Sequence, residues 1–271
     1  SVSTRISHDS GRFSVAVAAL LAGGLGGCKT MGDITGSLTS KSDAAAAPAD
    51  PRRSAEVYGD RYRANPKDAE AALGYGQALR ATGQRAQAAA VLEQASMAHP
   101  GNKQLLAAYG RALADNGNFQ LAFDVLSRAH SPDNPDWRIL SVQGAALDQM
   151  GKHQEARGYY ASALRIAPEE PSVLSNLGMS YVLSRELPKA EETLRRAQAT
   201  GRADARVRQN LALSVGLQGR FAEAETIARA DLPPDEAAAN VAYLKQMLAR
   251  KDAPRTAARG KPPVVAQDPS D

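Results

Sequence analysis

The sequence is poor in aromatic residues, in cysteine and in net charge, and each scarcity excludes a class of protein. Aromatic residues make up 5% of the 271 positions, so a core has to be built from Leu, Val and Ala, which favours closely packed helices over a β-sandwich. A single cysteine cannot form an internal disulfide. With a net charge of +4 and no basic arm or stripe, the chain lacks the footprint of a nucleic-acid-binding protein.

Long apolar runs are also missing. Residues 13–27 are the clearest apolar stretch, but they fall short of the roughly 20 residues that span a bilayer core. The stretch follows Arg5, His8 and Arg12 and has the length of the apolar region of a secretory signal peptide. Asp9 departs from the purely basic start that is usual for such peptides. The pattern predicts a cleaved signal and not a membrane-spanning helix.

The end of this stretch, GGLGGCKT, is open to three interpretations: a phosphate-binding loop, the mouth of a membrane helix, or a processing site. A P-loop needs Gly directly before Lys-Thr, where Cys28 stands, and the run is too short for a membrane helix. Leu25, Gly26, Gly27 and Cys28 instead resemble the lipobox of bacterial lipoproteins. In that motif the cysteine thiol takes a diacylglycerol as a thioether, and the small residues before it fit a tight protease site.

This interpretation, together with composition, predicts the nature of the segments at both ends of the chain. Residues 1–27 are predicted to be a lipoprotein signal peptide, and residues 28–53, rich in Ser, Thr, Gly and Ala, a flexible tether. Residues 251–271 are predicted to be a disordered tail. The lipid on Cys28 would hold the protein on a membrane of the cell envelope. Because Lys29 follows Cys28, and not the Asp that favours inner-membrane retention in some bacteria, we expect the outer membrane, facing the periplasm.

Between these segments the sequence repeats itself every 34 residues without an insertion. Glycine recurs at two positions of the repeat, alanine at two more, and Leu or Tyr at another; we call each such recurring position a register. In the fourth unit Arg185 stands where the other units have the glycine of the turn. Such a period with these residue types is the signature of the tetratricopeptide repeat (TPR), a helix-turn-helix unit. The glycine registers are Gly76, Gly110, Gly144 and Gly178, then Gly83, Gly117, Gly151 and Gly219. Units begin at Ala69, Lys103, Trp137, Pro171 and Ala205.

The repeats predict an all-α fold: a right-handed TPR superhelix, or α-solenoid, of about five helix-turn-helix units within residues 54–250. Asp68 and Asn102 precede first helices and suit their N-caps. The turn glycines can adopt the left-handed conformation that ends these helices. A lone second helix at residues 54–65 and a lone first helix at residues 235–250 are expected to cap the array.

First helices line the concave groove of TPR arrays, where a partner peptide binds. In units one to three this face is predicted to be polar and mixed in sign, and in units four and five it turns apolar, which marks a candidate partner site. The alternative is that the carboxy-terminal capping helix covers the apolar part through Tyr243 and Met247. The polar positions are Glu70, Gln77, Arg80, Arg111, Asp115, Arg138 and Asp148. The predicted partner groove comprises Met179, Val182, Leu183, Gln209, Leu213 and Leu217, with Asn210 nearby.

No constellation for catalysis stands out in the sequence. The motifs HExxH and GxSxG do not occur, and the glycine stretch at Gly74 lacks the third glycine of GxGxxG. His8, His99, His130 and His153 are scattered, with no carboxylate or cysteine at metal-ligand spacing. We therefore predict a protein-binding module that is not an enzyme, with no cofactor, no metal, no small-molecule substrate and no nucleic-acid partner.

One segment is more distinctive of a single family than the generic repeat motif. It spans residues 210–248 and reads NLALSVGLQGRFAEAETIARADLPPDEAAANVAYLKQML. Together with the lipobox and tether, they resemble the TadD-type TPR lipoproteins of the tight-adherence (Tad/Flp) pilus system, over most of the chain from Cys28 onward. The resemblance implies a periplasm-facing lipoprotein that helps assemble the pilus secretion apparatus, pilotin-like for its outer-membrane secretin. Only Cys28 transfers as a functional residue. The alternative is another lipoprotein adaptor, serving β-barrel assembly or cell-wall enzymes.

The lipid anchor is testable with Cys28→Ala. We expect this variant to keep its folded repeats, because Cys28 lies outside them, but to leave the membrane fraction and lose palmitate labelling. Two lipid signals are enough for stable anchoring, at ~0.8 kcal/mol per buried CH₂. A wild-type protein that takes up no palmitate, with a variant that still sediments with membranes, would contradict the tether.

Overall fold

The computed structural model describes residues 50–252 of the chain. The predictions for the signal peptide, the lipobox at Leu25, Gly26 and Gly27, the anchor at Cys28 and nearly all of the tether and tail lie outside the described residues. Residues 50–252 contain twelve α-helices and no β-strand. The helices are α1 (Pro51–Ala64), α2 (Ala69–Ala81), α3 (Arg85–Ala98), α4 (Lys103–Asp115), α5 (Phe119–Ala129), α6 (Trp137–Gln149), α7 (His153–Ile166), α8 (Pro171–Leu183), α9 (Leu187–Ala199), α10 (Ala205–Leu217), α11 (Phe221–Ala228) and α12 (Pro234–Asp252).

The helices from α2 to α11 form five consecutive pairs, and α1 and α12 flank them. Each helix contacts the next one along the chain, and the first helix of each pair also contacts the first helix of the following pair. This nearest-neighbour packing is that of a helical solenoid. The predicted all-α TPR-type solenoid is therefore confirmed. The first helices begin at the five residues Ala69, Lys103, Trp137, Pro171 and Ala205.

Side chains just before the first helices explain where these helices begin. The Asp68 carboxylate accepts hydrogen bonds from the backbone N–H groups of Glu70 and Ala71, each at 3.0 Å. Asn102 accepts the equivalent pair at 3.0 and 3.1 Å, and the Glu170 carboxylate accepts one backbone N–H at 3.4 Å. Each cap satisfies N–H groups that have no partner inside the helix.

The turn inside each repeat depends on one residue in the left-handed region. Gly83, Gly117, Gly151 and Gly219 have φ of 81°, 83°, 77° and 83°, which a glycine adopts without steric cost. In the fourth unit Arg185 holds the same place with φ of 65°. The turn geometry is thus kept where the glycine is not, at the conformational cost that a side chain brings to this region.

The other glycine register lets the two helices of a pair approach closely. A Cβ built on Gly110 would lie 2.5 Å from Cγ of Leu126, far inside van der Waals contact. Leu126 itself is fully buried. The same glycine-to-large-residue contact recurs in four units, so this glycine register and the Leu or Tyr register are one packing device. The pairs are Gly76–Leu92, Gly110–Leu126, Gly144–Tyr160 and Gly178–Leu194.

The amino-terminal capping helix starts earlier than predicted. Helix α1 begins at Pro51 and not at Ser54, because the Asp50 side chain caps it by accepting the N–H of Arg52 at 2.9 Å and Pro51 suits a first helical turn. The predicted tether boundary at residue 53 is therefore wrong, and residues 51–53 are helical. The carboxy-terminal helix likewise extends to Asp252, beyond the predicted end at residue 250.

One connection is longer than the others. Residues 130–136 join α5 to α6, and α5 ends at Ala129, earlier in its unit than the other second helices of the first four units. Pro132 and Pro135 each lack a backbone N–H and disfavour helix at the residue before them. The connection therefore stays non-helical up to Asp136, which is the N-cap residue of α6. The Asp136 carboxylate accepts the N–H of Arg138 at 2.8 Å.

The close approach of the paired helices predicts opposite effects for two glycine substitutions. Gly110→Ala should destabilise the protein by about 1–3 kcal/mol, because the added methyl overpacks Leu126. Gly158→Ala is the matched control, since this helical glycine has no atom within 4 Å of the added Cβ; it should stabilise by about 0.5–1 kcal/mol through helix propensity. Urea denaturation measures both, and equal midpoints would contradict the packing constraint.

Candidate functional site

The first helices of the first two repeats share a buried ion pair. Arg80 Nε on α2 lies 2.6 Å from Asp115 Oδ2 on α4, and the Asp115 side chain is only 3% exposed. Arg111, on the same helix as Asp115, is partly buried nearby. Part of the charge predicted for the polar face of the first units therefore joins neighbouring first helices to each other.

Asp148 does not line the groove as predicted. Its side chain is buried, with the residue 6% exposed, and three side chains surround the carboxylate. Oδ2 accepts from the Tyr160 hydroxyl at 2.8 Å, and Oδ1 accepts from the Ser180 hydroxyl at 2.8 Å and lies 2.9 Å from His153 Nδ1. Burial raises the pKa of Asp148, and these three hydrogen bonds act against that rise. Since Ser180 belongs to α8, Asp148 joins repeats three and four.

A polar ladder continues along the buried side of the first helices. Asn176 Nδ2 on α8 donates to Ser141 Oγ on α6 at 3.0 Å, and Asn210 Nδ2 on α10 donates to Ser175 Oγ on α8 at 2.9 Å. All four residues are buried. Asn210, expected beside the groove, is thus a structural link. The sequence signal for this ladder is a Ser followed 35 residues later by an Asn, a spacing that matches no motif of catalysis or binding.

The predicted apolar groove of units four and five divides into core and surface. Val182 is 0% exposed and packs with Ala190, so it belongs to the core and not to a partner site. The other four apolar residues are only partly buried and pack against this core in one cluster, and Gln209 is exposed. We call these four residues the apolar patch: Met179 and Leu183 on α8, and Leu213 and Leu217 on α10.

The carboxy-terminal helix does not form part of the apolar patch. The buried residues of α12, Ala237 and Leu244, pack elsewhere: Ala237 lies with Ala212 and Ala228, and Leu244 lies against Gly216. Tyr243 is 46% exposed. The apolar side chains clustered around Val182 all come from α8, α9 and α10. Neither Tyr243 nor Met247 belongs to this cluster.

Charged side chains lie at one end of this cluster. The Tyr181 ring, which packs against the core formed by Val182 and Ala190, has the Arg157 guanidinium 5.0 Å and the Lys189 ammonium 5.6 Å from its centre. Glu186 pairs with both cations, and the hydrogen bond from Lys189 is the main reason that its pKa is lowered. The apolar surface thus has a polar margin, as is usual for surfaces that bind proteins.

Neither a membrane span nor a metal site occurs within residues 50–252. No helix there is both long and apolar enough to cross a membrane. The same residues contain no group of three or more His, Cys, Asp or Glu side chains that could hold a metal ion. The cluster around Asp148 contains His153, but Tyr160 and Ser180 complete its hydrogen bonding. These contacts form a buried hydrogen-bond network.

Comparison with known proteins agrees with this geometry. Residues 76–136 and residues 149–213 each match a tetratricopeptide-repeat family model. The chain is a tetratricopeptide-repeat protein. TPR proteins typically act as scaffolds that bind other proteins, and solenoids of this kind use an extended concave surface for binding. No curated protein sequence matches this TPR protein.

Several solved structures share its fold. The crystal structure of PilW, a widely conserved type IV pilus biogenesis factor, has a TM-score of 0.61 at 19% identity and covers 71% of this chain and 91% of its own. TTC0263, a thermophilic TPR protein of Thermus thermophilus, has a TM-score of 0.58 at 22% identity and covers 66% of this chain and 99% of its own. The Cut9–Hcn1 hetero-tetramer of APC/C has a TM-score of 0.58 at 16% identity over 73% of this chain, which spans 40% of that protein. At these identities the likeness is one of fold.

The Asp148 network predicts a large stability effect. In Asp148→Ala the Tyr160 and Ser180 hydroxyls lose their buried acceptor, and we expect unfolding to become easier by at least about 2 kcal/mol. Asp124→Ala is the matched control: Asp124 is exposed and should change stability by less than about 0.5 kcal/mol. Chemical denaturation followed by circular dichroism measures both, and equal losses would contradict the structural role of Asp148.

Proposed function

We propose that this TPR protein is a lipoprotein scaffold that helps assemble the Tad/Flp pilus secretion apparatus by holding a segment of a partner protein in its concave groove. The observation that carries the binding role is the apolar patch. Met179, Leu183, Leu213 and Leu217 stay partly exposed on two neighbouring first helices, while the apolar clusters next to them are closed by α12. An apolar surface of this kind marks a protein-binding site.

The shape of the apolar patch favours a segment over a globular partner. Two residues on α8 and two on α10, each pair four residues apart, make parallel rows on adjacent helices. An amphipathic helix or an extended segment could lay its apolar side chains along these rows, with Gln209 and the charges around Tyr181 available to its polar groups. Folded partners need larger surfaces, of about 800 Å² per side.

The anchor and the location rest on the sequence alone. Leu25, Gly26, Gly27 and Cys28 support a lipid on Cys28, and Lys29 favours the outer membrane with the repeats in the periplasm. A tether over residues 28–50 would let the repeats reach a partner at some distance from the membrane. The lipid would thereby raise the local concentration of the scaffold around envelope partners.

The pilus assignment rests on the resemblance of residues 210–248 to the TadD-type lipoproteins. PilW is also a pilus biogenesis factor and has the same fold, but at 19% identity it supports the fold alone. The proposed partners are proteins of the pilus machine, with the outer-membrane secretin first and a pilotin-like role toward it. An adaptor for β-barrel assembly or for cell-wall enzymes would use the same groove and is the second candidate.

A charged double variant of the apolar patch tests the proposal. Leu183→Asp with Leu217→Asp should abolish partner capture, because both carboxylates would need desolvation beneath an apolar segment. In the native envelope, a photo-crosslinking residue at the exposed position of Gln209 should join the wild-type protein to the pilus secretin. The double variant, crosslinked in the same way, should lose this product.

The matched control carries the same charges away from the groove. Met97→Asp with Leu121→Asp alters two exposed apolar residues on second helices, Met97 being 70% exposed, and should retain the crosslink. Circular dichroism establishes that both double variants fold. If the folded Leu183→Asp, Leu217→Asp protein still captures every partner, the groove is not the binding site; if the crosslinked partner is a β-barrel assembly protein or a cell-wall enzyme, the second candidate function replaces the first.

A further inference from the structure

The two ends of the solenoid are half units. Within residues 50–252, α1 stands in the place of a second helix but follows no first helix, and α12 stands in the place of a first helix but precedes no second helix. In the complete pairs, the two helices bury the faces that they turn toward each other. One such face on α1 and one on α12 therefore have no paired helix in the described part of the chain.

The exposure of Val57 marks the uncovered face of α1. Steps of 34 residues place Val57 in the register of Val91 on α3 and Val125 on α5. Those two valines belong to the core and are 8% and 5% exposed, whereas Val57 is 44% exposed. The next residue, Tyr58, stands in the register of Leu92 and is only partly buried, although Leu92 is fully buried. We call the surface at Val57 and Tyr58 the α1 face.

Helix α12 packs as a first helix of the array. Counted from Asp235, its third and tenth residues are Ala237 and Leu244, and both are buried, like the third and tenth residues of α10. The eighth residue in this count is Ala242, which holds the register of the glycines that meet a large side chain in the first four pairs. Ala242 is exposed, since α12 is the last described helix and no second helix covers it. We call the surface around Ala242 the α12 face.

The α12 face of one copy matches the α1 face of another. The two helices of a pair run antiparallel, so the start of a first helix lies beside the end of its second helix. In the first four pairs the eighth residue of the first helix meets the large residue in the register of Tyr58. An α12 placed in this way on the α1 of a second copy would therefore bring Ala242 to Val57 and Tyr58 of that copy.

The charges at the ends of the two helices also match. Asp235 and Glu236 lie in the first turn of α12, both are exposed, and neither forms an ion pair with another of residues 50–252. The antiparallel placement brings them to the last turn of α1, where the side chains of Arg61 and Arg63 are 45% and 64% exposed. An acidic end would meet a basic end, which favours this placement over a parallel one.

The methyl group of Ala242 does not exclude this contact, although a methyl group does not fit at Gly110. Within a pair, a short turn ties the two helices together and imposes their close approach. Helices of two different copies have no turn between them, so they can settle at the ordinary spacing of about 8–10 Å. The fifth pair already carries Ala212 in this register.

We propose that copies of this chain associate head to tail, with α12 of one copy packing against α1 of the next to complete a helix pair. A second copy fits these faces because the chain itself carries both halves of the missing pair, one at each end. Such an interface is heterologous, so every complex keeps one free α1 face and one free α12 face and can add further copies. The interface uses neither the apolar patch nor its partner, and it does not depend on the proposed function.

Cross-linking between differently tagged copies tests the interface. The full chain carries Cys28→Ala, so that introduced cysteines are its only ones. One preparation adds Val57→Cys and another adds Ala242→Cys. They are mixed at about 100 µM with a short bismaleimide, since a single helix pair buries less than a standard interface and binds weakly.

The mixture should give one covalent dimer that carries both tags. The chain that contains both cysteines should instead give a ladder of dimers, trimers and larger products, because each copy then has two reactive ends. A mixture that gives no dimer with both tags overturns the proposal.

Leu121→Cys is the matched control for Val57→Cys. Leu121 is 47% exposed on the second helix α5, close to the 44% of Val57, and with Ala242→Cys it should give at most a trace of the mixed dimer. Equal yields from the two positions would mean random collision and overturn the proposal. Dimers that link Val57→Cys to itself in place of the mixed dimer would also overturn it, because two α1 faces would then meet each other.

A segment of the same chain is the other candidate to cover the α1 face. Ser42 lies 34 residues before Gly76, in the register that would meet Tyr58. A chain with Ser42→Cys and Val57→Cys tests this alternative. An internal cross-link in that chain, with no mixed dimer from the two preparations, would show that residues before α1 cover this face and would overturn the proposal.

Charge reversal at the start of α12 tests the proposed placement. Asp235→Lys with Glu236→Lys, added to the Ala242→Cys chain, should lower the yield of the mixed dimer about five-fold or more, because like charges would then meet the arginines at the end of α1. Asp124→Lys with Asp133→Lys makes the same change of net charge at two exposed positions away from both ends and should leave the yield unchanged. If circular dichroism shows both proteins folded and their yields are equal, the proposal is overturned.

Discussion

The contact between a glycine and a large side chain within each of the first four helix pairs is the constraint on which the solenoid depends. Where Gly110 meets Leu126, a single methyl group would not fit. This approach sets the spacing of the two helices in a pair, and so fixes which side of each first helix meets the next repeat. The polar ladder from Ser141 to Asn210 and the Asp148 network join successive repeats only because that spacing recurs.

Much of this could be predicted from the sequence because a 34-residue period constrains every unit at once. The turn glycines, the caps at Asp68 and Asn102, and the all-α solenoid follow from local chemistry that repeats in phase. The period does not determine how far a side chain lies from solvent. Val182 and Asp148 occupy positions of first helices that the period assigns to the groove, yet Val182 packs with Ala190 and Asp148 accepts from Ser180. Their burial depends on side chains from other helices, which the period does not specify.

The concave face combines two chemistries that the fold keeps apart. Repeats one to three present arginines around Arg111, whereas repeats four and five present the apolar patch. The buried network around Asp148 occupies the boundary between them, where it satisfies its own polar groups without exposing them.

The short last pair has a consequence for how such an array changes in length. Helix α11 has 8 residues where most second helices have 13 or 14, and α12 packs into the space beyond it through Ala237 and Leu244. A sixth unit added after α11 would find this space occupied and would expose the apolar side of α12. A duplicated repeat unit could therefore not be added at the carboxyl end without displacing α12. Between interior units, an added repeat would pack against helix surfaces of the same kind as its own.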